Sequence, residues 1–196
     1  NDRQDVFQHQ TVTPFSLTGA TYTGKTYRYS ETGNHGIQVQ FKIDGTKMYV
    51  SEASGDRIYQ YSLATPWDVS TASYDSVFVS LQSDEASFTG FAFNPAGTKL
   101  IITGTIGDKL IYYTLSTPWD LSTLSSGTDI ATGLNNPYGI YWRKDGGKLY
   151  VANSGSDNIV EFTIVENNDG ILSFISGDTE SYGEGNFYGT QKFYAN

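Results

Sequence analysis

The residues that could perform acid–base or metal chemistry are few and scattered in this chain. Its 196 residues include two histidines, His9 and His35, and no cysteine. Two histidines cannot build a three-histidine zinc site, and neither a disulfide nor a thiolate site can form without cysteine. His9 lies where other copies of an internal repeat carry an aromatic residue, so we interpret it as a packing residue. His35 precedes a predicted strand, where contact with a ligand is the alternative to a loop role.

Acidic residues recur along the chain, but their positions are typical of turns. Asp44 and Asp145 each precede a glycine between two alternating apolar segments, as in a tight hairpin. With Asp169 they could suggest calcium, yet no EF-hand spacing connects them. Another group of aspartates shares one repeat position, where we expect each carboxylate to cap backbone N–H groups. These are Asp56, Asp108 and Asp157. We therefore predict no metal and no other cofactor.

Three aromatic residues lie at equivalent loop positions. Phe15, Trp67 and Trp119 each follow a Thr-Pro pair, at spacings of 52 residues. One aromatic ring per repeat could stack on sugars, so these residues are candidate carbohydrate contacts. We favour the alternative that the Thr-Pro-Trp-Asp loop packs on the edge of a sheet, because proline lacks a backbone donor and ends strands.

These positions belong to an internal repeat that predicts the fold. Lys47, Lys99 and Lys148 each follow a turn and begin an apolar-alternating run, at spacings of 52 and 49 residues. After a small polar turn, each run is followed by a second run of β-forming residues. Repeats of about 40–50 residues with four strands each are the signature of β-propeller blades. The sequence therefore predicts an all-β, four-bladed β-propeller with four-stranded antiparallel blades.

We expect a single domain over residues 1–196, with one blade split between the N- and C-termini. Residues 189–196 resemble the second-strand segment 146–153 with one residue of slippage, while Val6 and Phe7 align with third-strand residues. The chain is thus expected to open and stop within a repeat, which leaves a sheet edge that needs a partner. The predicted blades span about 36–82, 87–134 and 137–178, with 179–196 plus 1–30 as the split blade.

The charge and hydropathy of the chain argue against two classes of partner. Its net charge is −9 at pH 7, and an acidic surface repels the phosphate backbone of nucleic acids. No apolar segment approaches the ~20 residues that a membrane-spanning helix needs. We therefore predict neither nucleic-acid binding nor a membrane span.

The third repeat carries a family resemblance. Residues 148–160 are similar to the YVTN-type propeller repeat of bacterial and archaeal surface proteins, although Ala152 replaces the threonine of that pattern. The matching residues are Tyr150, Val151, Asn153, Ser154 and Gly155. Residues 139–151 also resemble NHL-type repeats. These resemblances imply a β-propeller, and the YVTN type implies an extracellular or cell-surface setting.

Together these features predict a non-enzymatic structural subunit of an extracellular assembly. Strand sharing between chain ends would link propellers head to tail or in tandem, into a filament or surface layer. Pairing of the two ends within one chain, which would close the ring, is the other possible arrangement. The residues expected at the junction are Val6, Phe7, His9, Phe193 and Tyr194.

Two other functions are possible. One is a carbohydrate-binding or adhesin propeller, on a cell surface or a phage tail, that uses Trp67 and Trp119. The less favoured one is a lactonase-like hydrolase, which would need acid–base or metal-binding side chains on the first strands of the blades. Those strands offer little such material: Gln38, Gln40, Ala92 and Tyr141. The chain also lacks a Gly-x-Ser-x-Gly elbow and a phosphate-binding loop.

Overall fold

The protein is built from antiparallel β-sheets. The computed structural model describes residues 4–14, 16–30, 36–130 and 133–166, together with the backbone of 172–181. Across these ranges the only helical segments are single turns of 3-10 helix. The chain divides into two compact units, residues 1–80 and 81–196.

The first unit contains a two-stranded and a four-stranded sheet. In the two-stranded sheet, β1 (Asp5–Gln10) pairs with β2 (Thr21–Arg28). The four-stranded sheet is a meander, in which each strand pairs with the next one along the chain. Its strands are β3 (Gly36–Phe41), β4 (Lys47–Glu52), β5 (Arg57–Leu63) and β6 (Ala72–Ser80).

The second unit contains two four-stranded meanders. The first consists of β7 (Phe88–Phe93), β8 (Lys99–Gly104), β9 (Lys109–Thr114) and the short β10 (Thr128–Ile130). The second consists of β11 (Pro137–Trp142), β12 (Lys148–Asn153), β13 (Asn158–Glu166) and β14 (Leu172–Ser181). The repeat lysines therefore each begin the second strand of a sheet.

The three meanders share one register between their second and third strands. The residue after each repeat lysine lies opposite a buried aromatic residue of the third strand. These pairs are Met48 with Tyr61, Leu100 with Tyr113, and Leu149 with Phe162. Because a one-residue slip would turn every side chain to the opposite face, the buried pairs fix the register.

Each unit has its own hydrophobic core. In the first unit, Met48, Val50, Tyr59 and Tyr61 are buried in one cluster, and Val6 packs against it from the two-stranded sheet. In the second unit, side chains of the two meanders form one cluster, which includes Ala92, Ile101, Leu149 and Val151. Full burial of a side chain of this size contributes about 1.5–3 kcal/mol. These clusters hold the sheets of each unit together.

The predicted split blade is only partly within the described residues. Its N-terminal strands correspond to β1 and β2. Its C-terminal part was predicted over 179–196, and of this only the backbone to Ser181 is described, as the end of β14. The pairing of the two chain ends therefore stays a prediction.

Candidate functional site: the edge of the two-stranded sheet

The two-stranded sheet is attached to the β3–β6 meander at the Thr-Pro-Trp-Asp loop. Lys25 of β2 forms a salt bridge with Asp68, with 2.6 Å between Nζ and Oδ2. The backbone N–H of Val69 donates to Oε1 of Gln8 over 3.1 Å. Since Val6 also packs on the core of the meander, the face of β1 that carries Val6 and Gln8 is the attached face.

The opposite face of β1 is open in the described part of the chain. Phe7 is 54% exposed, and its ring meets Tyr22 edge-on, with 5.9 Å between centroids. His9 is also exposed and lies 5.6 Å from the same tyrosine ring. The residues that align with Phe7 in the other third strands are all buried. They are Tyr59, Ile111 and Val160.

The position of His9 shows the same contrast. Its counterparts Tyr61, Tyr113 and Phe162 are buried under neighbouring side chains. The repeat predicts His9 as their packing substitute, and in the structure its side chain is exposed, with its ring beside that of Tyr22. A third strand becomes buried when a second strand pairs beside it, and β1 has only β2 as a partner among the described strands.

An apolar groove lies next to this open edge. It has a volume of about 430 Å³ and is lined by residues of β1, β3 and β4. Val39 of β3 is 38% exposed there, whereas the equivalent Phe91 and Ile140 of the second unit are buried. The apolar residues that line the groove are Val6, Phe7, Ile37, Val39, Phe41 and Val50. A row of exposed apolar side chains beside a sheet with two described strands is a surface on which another strand could pack.

Several residues singled out in the sequence lie outside the described residues. Phe193 and Tyr194, the expected partners of β1, belong to this group. So do Phe15, His35 and Asp169. Their contributions to a junction, a ligand site or a metal site stay predictions.

Trp67 and Trp119 occupy equivalent corners and lie over the hairpin glycines of their own sheets. The backbone N–H of Trp67 donates to the carbonyl of Gly45 over 3.0 Å, and that of Trp119 to Gly97 over 2.8 Å. The indole rings also lie 5.5 Å from Phe41 and 5.1 Å from Phe93. Trp67 remains 51% exposed. One side of each ring is therefore engaged in packing.

The aspartate after each tryptophan fixes the corner. Oδ1 of Asp68 accepts from the backbone N–H of Ser70 over 3.1 Å, and Asp120 does the same for Ser122 over 3.0 Å. Each aspartate thereby caps the single turn of 3-10 helix that follows it. The hydrogen bond from Lys25, followed by that from Ser70, lowers the pKa of Asp68. The salt bridge by which Asp68 anchors β2 could not be predicted from the sequence. The repetition of the Trp-Asp pair indicated only that the two loops share a structural role.

The hairpin aspartates act within their turns. Oδ1 of Asp44 accepts from the backbone N–H of Thr46 over 3.0 Å, and Gly45 has a φ of 74°. Hydrogen bonds from Lys42 and Thr46 hold the pKa of Asp44 well below its usual range. Oδ1 of Asp145 likewise accepts hydrogen bonds from Nε of Arg143 and from the backbone N–H of Gly147. The hydrogen bond from Arg143 is the main reason that the pKa of Asp145 is also lowered.

The aspartates at the turn between second and third strands share a backbone conformation. Asp56, Asp108 and Asp157 have φ values of 47°, 49° and 50°, in the left-handed region. Aspartate tolerates this conformation better than most residues. Asp108 also accepts from the backbone N–H of Asn136 over 2.6 Å. The expected capping of backbone donors is therefore seen for Asp108, with a donor that is distant in sequence.

Two further acids lie against the β8–β9 hairpin, and no sequence motif points to them: Glu85 is buried and Asp84 is half-buried. Glu85 accepts from the backbone N–H groups of Ser87, Ile106 and Gly107, at 3.0–3.2 Å. Asp84 accepts from the hydroxyl of Tyr113 over 2.8 Å. Burial, together with the adjacent Asp84 carboxylate, raises the pKa of Tyr113 far above its ordinary value. These acids hold a loop in place, and no repeated spacing marks them in the sequence.

The described residues offer neither a metal-ion cluster nor a membrane-spanning helix. Over the described residues, no group of three or more His, Cys, Asp or Glu side chains is placed to hold a metal ion. None of the described helical segments is long and apolar enough to cross a membrane.

Comparisons with known proteins bear on the fold. No family model and no curated protein matches the chain. A solved protein of unknown function from Desulfotomaculum acetoxidans is similar over 92% of this chain and 53% of its own length, with a TM-score of 0.58 and 16% identity. The periplasmic gluconolactonase of Pseudomonas aeruginosa matches over 75% of this chain and 41% of its own length, with a TM-score of 0.54 and 20% identity.

A third solved structure is described as a propeller. The β-propeller domain of Cps50 (Swd1) from Myceliophteria thermophila is similar over 71% of this chain and 41% of its own length, with a TM-score of 0.53 and 10% identity. The chain thus spans about half the length or less of these three structures. At such low identity the likeness concerns the fold alone. The chain has the β-propeller fold, in agreement with the four-bladed propeller expected from its repeats.

Proposed function

We propose that this chain is a non-enzymatic structural module that joins neighbouring modules by strand addition at β1. The observation that best supports this is the β1–β2 sheet, which has two described strands where each of the other sheets has four. Strand addition supplies a row of main-chain hydrogen bonds and apolar pockets for alternate side chains. The open face of β1 and the adjoining apolar groove offer both.

The contacts that hold β1 in place favour this role. The Lys25–Asp68 salt bridge and the Gln8–Val69 hydrogen bond attach the two-stranded sheet before any further strand is added. An edge that is already ordered spends less conformational entropy on binding than a mobile segment would. A pre-formed edge of this kind is suited to persistent, directional contacts.

The setting that we propose is an extracellular or cell-surface filament or layer. A head-to-tail contact that does not close into a ring extends into a fibre or array. The YVTN-type resemblance of residues 148–160 supports a surface setting, since it is to repeats of surface proteins. The partner in this proposal is a neighbouring propeller module, either another chain or the next module of a longer chain.

A matched pair of substitutions tests the proposal. Phe7→Lys places a charge on the open face of β1, where the native ring is 54% exposed. Val12→Lys adds the same charge outside the strand, at a residue that is 85% exposed. We expect Phe7→Lys to abolish assembly and Val12→Lys to leave it intact, as judged by light scattering. Equal assembly of the two variants would overturn the proposal.

Hydrolysis is the second candidate function, and the likeness to a gluconolactonase is the observation that favours it. A pH-stat assay with gluconolactone distinguishes the two. We expect the lactone to open at its uncatalysed rate in the presence of the protein. A rate that rises with protein concentration and saturates with lactone would contradict the non-enzymatic proposal.

A further inference from the structure

We infer that residues 192–196 are the strand that joins β1, in a register that places Phe193 opposite His9 and Tyr194 opposite Gln8. The inference rests on the proposed strand sharing and deepens it, because it names the segment, its register and the surface that receives it. The donor in this arrangement is the neighbouring copy of the chain.

The register follows from the three complete sheets. In each of them the repeat lysine of the second strand lies opposite a fixed position of the third strand. The lysine pairs are Lys47 with Ser62, Lys99 with Thr114, and Lys148 with Thr163. With one residue of slippage, the Lys-Phe-Tyr sequence of 192–194 aligns with Lys-Leu-Tyr of 148–150, so Lys192 takes the lysine position, and Gln10 holds the third-strand position in β1. The same register therefore pairs Lys192 with Gln10.

The next residues of the segment follow from the antiparallel pairing. Phe193 falls opposite His9, as Leu100 falls opposite Tyr113 in the second unit. Tyr194 falls opposite Gln8, as Tyr150 falls opposite Glu161. Because residues directly opposite one another project from the same face of a sheet, each of these pairs shares a face.

The two faces of β1 then receive different side chains. Phe193 joins the face that carries Phe7 and His9, which is exposed in the described part of the chain. Tyr194 joins the attached face, which carries Val6 and Gln8. The apolar groove adjoins that face and has room for large side chains, with its volume of about 430 Å³.

The groove also has the apolar surface that a covering strand requires. Ile37 and Val39 of β3 are 39% and 38% exposed. The counterparts of Val39, which are Phe91 of β7 and Ile140 of β11, are buried. Tyr138, the counterpart of Ile37 in β11, is exposed. A strand beside β1 would bring Val39 closer to the burial of its counterparts, with a gain of about 25 cal/mol for each Å² of apolar surface covered. This gain accompanies the main-chain hydrogen bonds along β1.

Disulfide trapping tests the register, because the natural chain has no cysteine. Residues directly opposite in antiparallel strands have Cα atoms about 4.5–5.5 Å apart, within the range that a disulfide spans. We expect the double variant His9→Cys, Phe193→Cys to form a disulfide under mild oxidation. The matched control Gln8→Cys, Phe193→Cys places the two thiols on opposite faces and is expected to stay reduced.

A positive control lies within the described sheets. Ala152 and Ile159 are directly opposite in β12 and β13, so Ala152→Cys, Ile159→Cys is expected to oxidise readily. If this control oxidises and the His9/Phe193 pair does not, the proposed register is overturned. Oxidation of the Gln8/Phe193 pair in preference would overturn it as well.

A mixing experiment separates the register from the assembly. The single variants His9→Cys and Phe193→Cys are combined, and a mixed disulfide dimer forms only if the strand comes from another chain. A mixed dimer supports both the register and the proposed function. Oxidation of the double variant within single chains, with no mixed dimer, upholds the register and contradicts assembly between copies.

Discussion

The indole ring of Trp119 lies over Gly97 so closely that a Cβ atom on this glycine would stand 2.2 Å from Nε1. The equivalent Trp67 bears the same relation to Gly45, with 2.4 Å to Cδ1. Both tryptophans have a φ of 64°, a conformation that costs a non-glycine residue about 1–2 kcal/mol. Two copies of the repeat therefore maintain a strained backbone in order to place this ring on the hairpin.

The contact between Trp119 and Gly97 predicts the effect of a single methyl group. Gly97→Ala would impose a φ of 69° on alanine and bring its Cβ against the indole. We expect a loss of about 2–4 kcal/mol in the free energy of unfolding, the sum of backbone strain and overpacking. Denaturant-induced unfolding measures this loss.

Gly133→Ala is the matched control for that prediction. Gly133 has a φ of 67°, and an added Cβ would meet no atom of the described residues within 4 Å, so Gly133→Ala should cost only the backbone strain of about 1–2 kcal/mol. A Trp119→Ala background should also relieve part of the Gly97→Ala penalty. Equal losses at the two glycines would show that the indole contact carries no energetic weight.

Trp67 allows packing to be separated from carbohydrate binding. Full removal of a buried aromatic costs about 3–5 kcal/mol. Trp67→Ala should cost less, about 1–3 kcal/mol, because the ring is half exposed. We expect the variant to unfold at lower denaturant while the signals of the wild-type protein and the variant on a glycan array stay at background. Glycan binding by the wild-type protein that is lost in Trp67→Ala and Trp119→Ala would favour the adhesin function instead.

The repeat lysine Lys148 predicts a dependence of stability on acid pH. Its Nζ pairs with Glu161 of the next strand, and this hydrogen bond is the main cause of the lowered pKa of Glu161. Because the folded state lowers this pKa, the pair stabilises the protein above the unfolded value of about 4.3. That contribution is lost as the pH falls through the lowered pKa of the folded state.

Lys148→Met removes the partner of Glu161 and should make the free energy of unfolding less dependent on pH in the acid range. We expect the free energy of unfolding of the variant to fall less steeply below pH 4.3 than that of the wild-type protein. Lys144→Met serves as the control, since Lys144 is exposed and its loss should leave the pH dependence of the wild-type protein unchanged. Identical slopes for Lys148→Met and the wild-type protein would contradict the assigned role of the pair.

Much of the strand pattern could be predicted from the sequence, because the repeat lysines mark it three times. Alternation and turn signals predict strands over residues 36–41 and 57–63, and these are β3 and β5. Alternation predicts these strands because one register buries the same third-strand positions in the three four-stranded sheets.

The packing of the corners could not be predicted in the same way. The positive φ of Trp67 depends on the hydrogen bond to Gly45 and on contact with Phe41, which only the folded chain brings together. The burial of Glu85 depends on backbone N–H groups about 20 residues further along. Local sequence patterns do not predict such long-range contacts, whereas the neighbouring glycine was enough to predict the hairpin role of Asp44.

The β1–β2 sheet is the opposite case: the sequence predicts a split blade, and the described residues contain only its N-terminal strands. The third-strand character of Val6 and Phe7 was clear from their alignment with Ile58 and Tyr59. The partner segment 189–196 lies outside the described residues. Pairing of segment 189–196 with β1 is therefore the central claim to be tested.

The most direct test is the mass and shape of the wild-type protein, by multi-angle light scattering over a range of concentrations together with negative-stain electron microscopy. Strand sharing between copies predicts a mass that increases with concentration and regular fibres with a repeat of one propeller. Deletion of residues 1–12 should reduce this material to single chains. A wild-type protein with the mass of one chain at every concentration, and with no fibres, would contradict assembly by strand sharing.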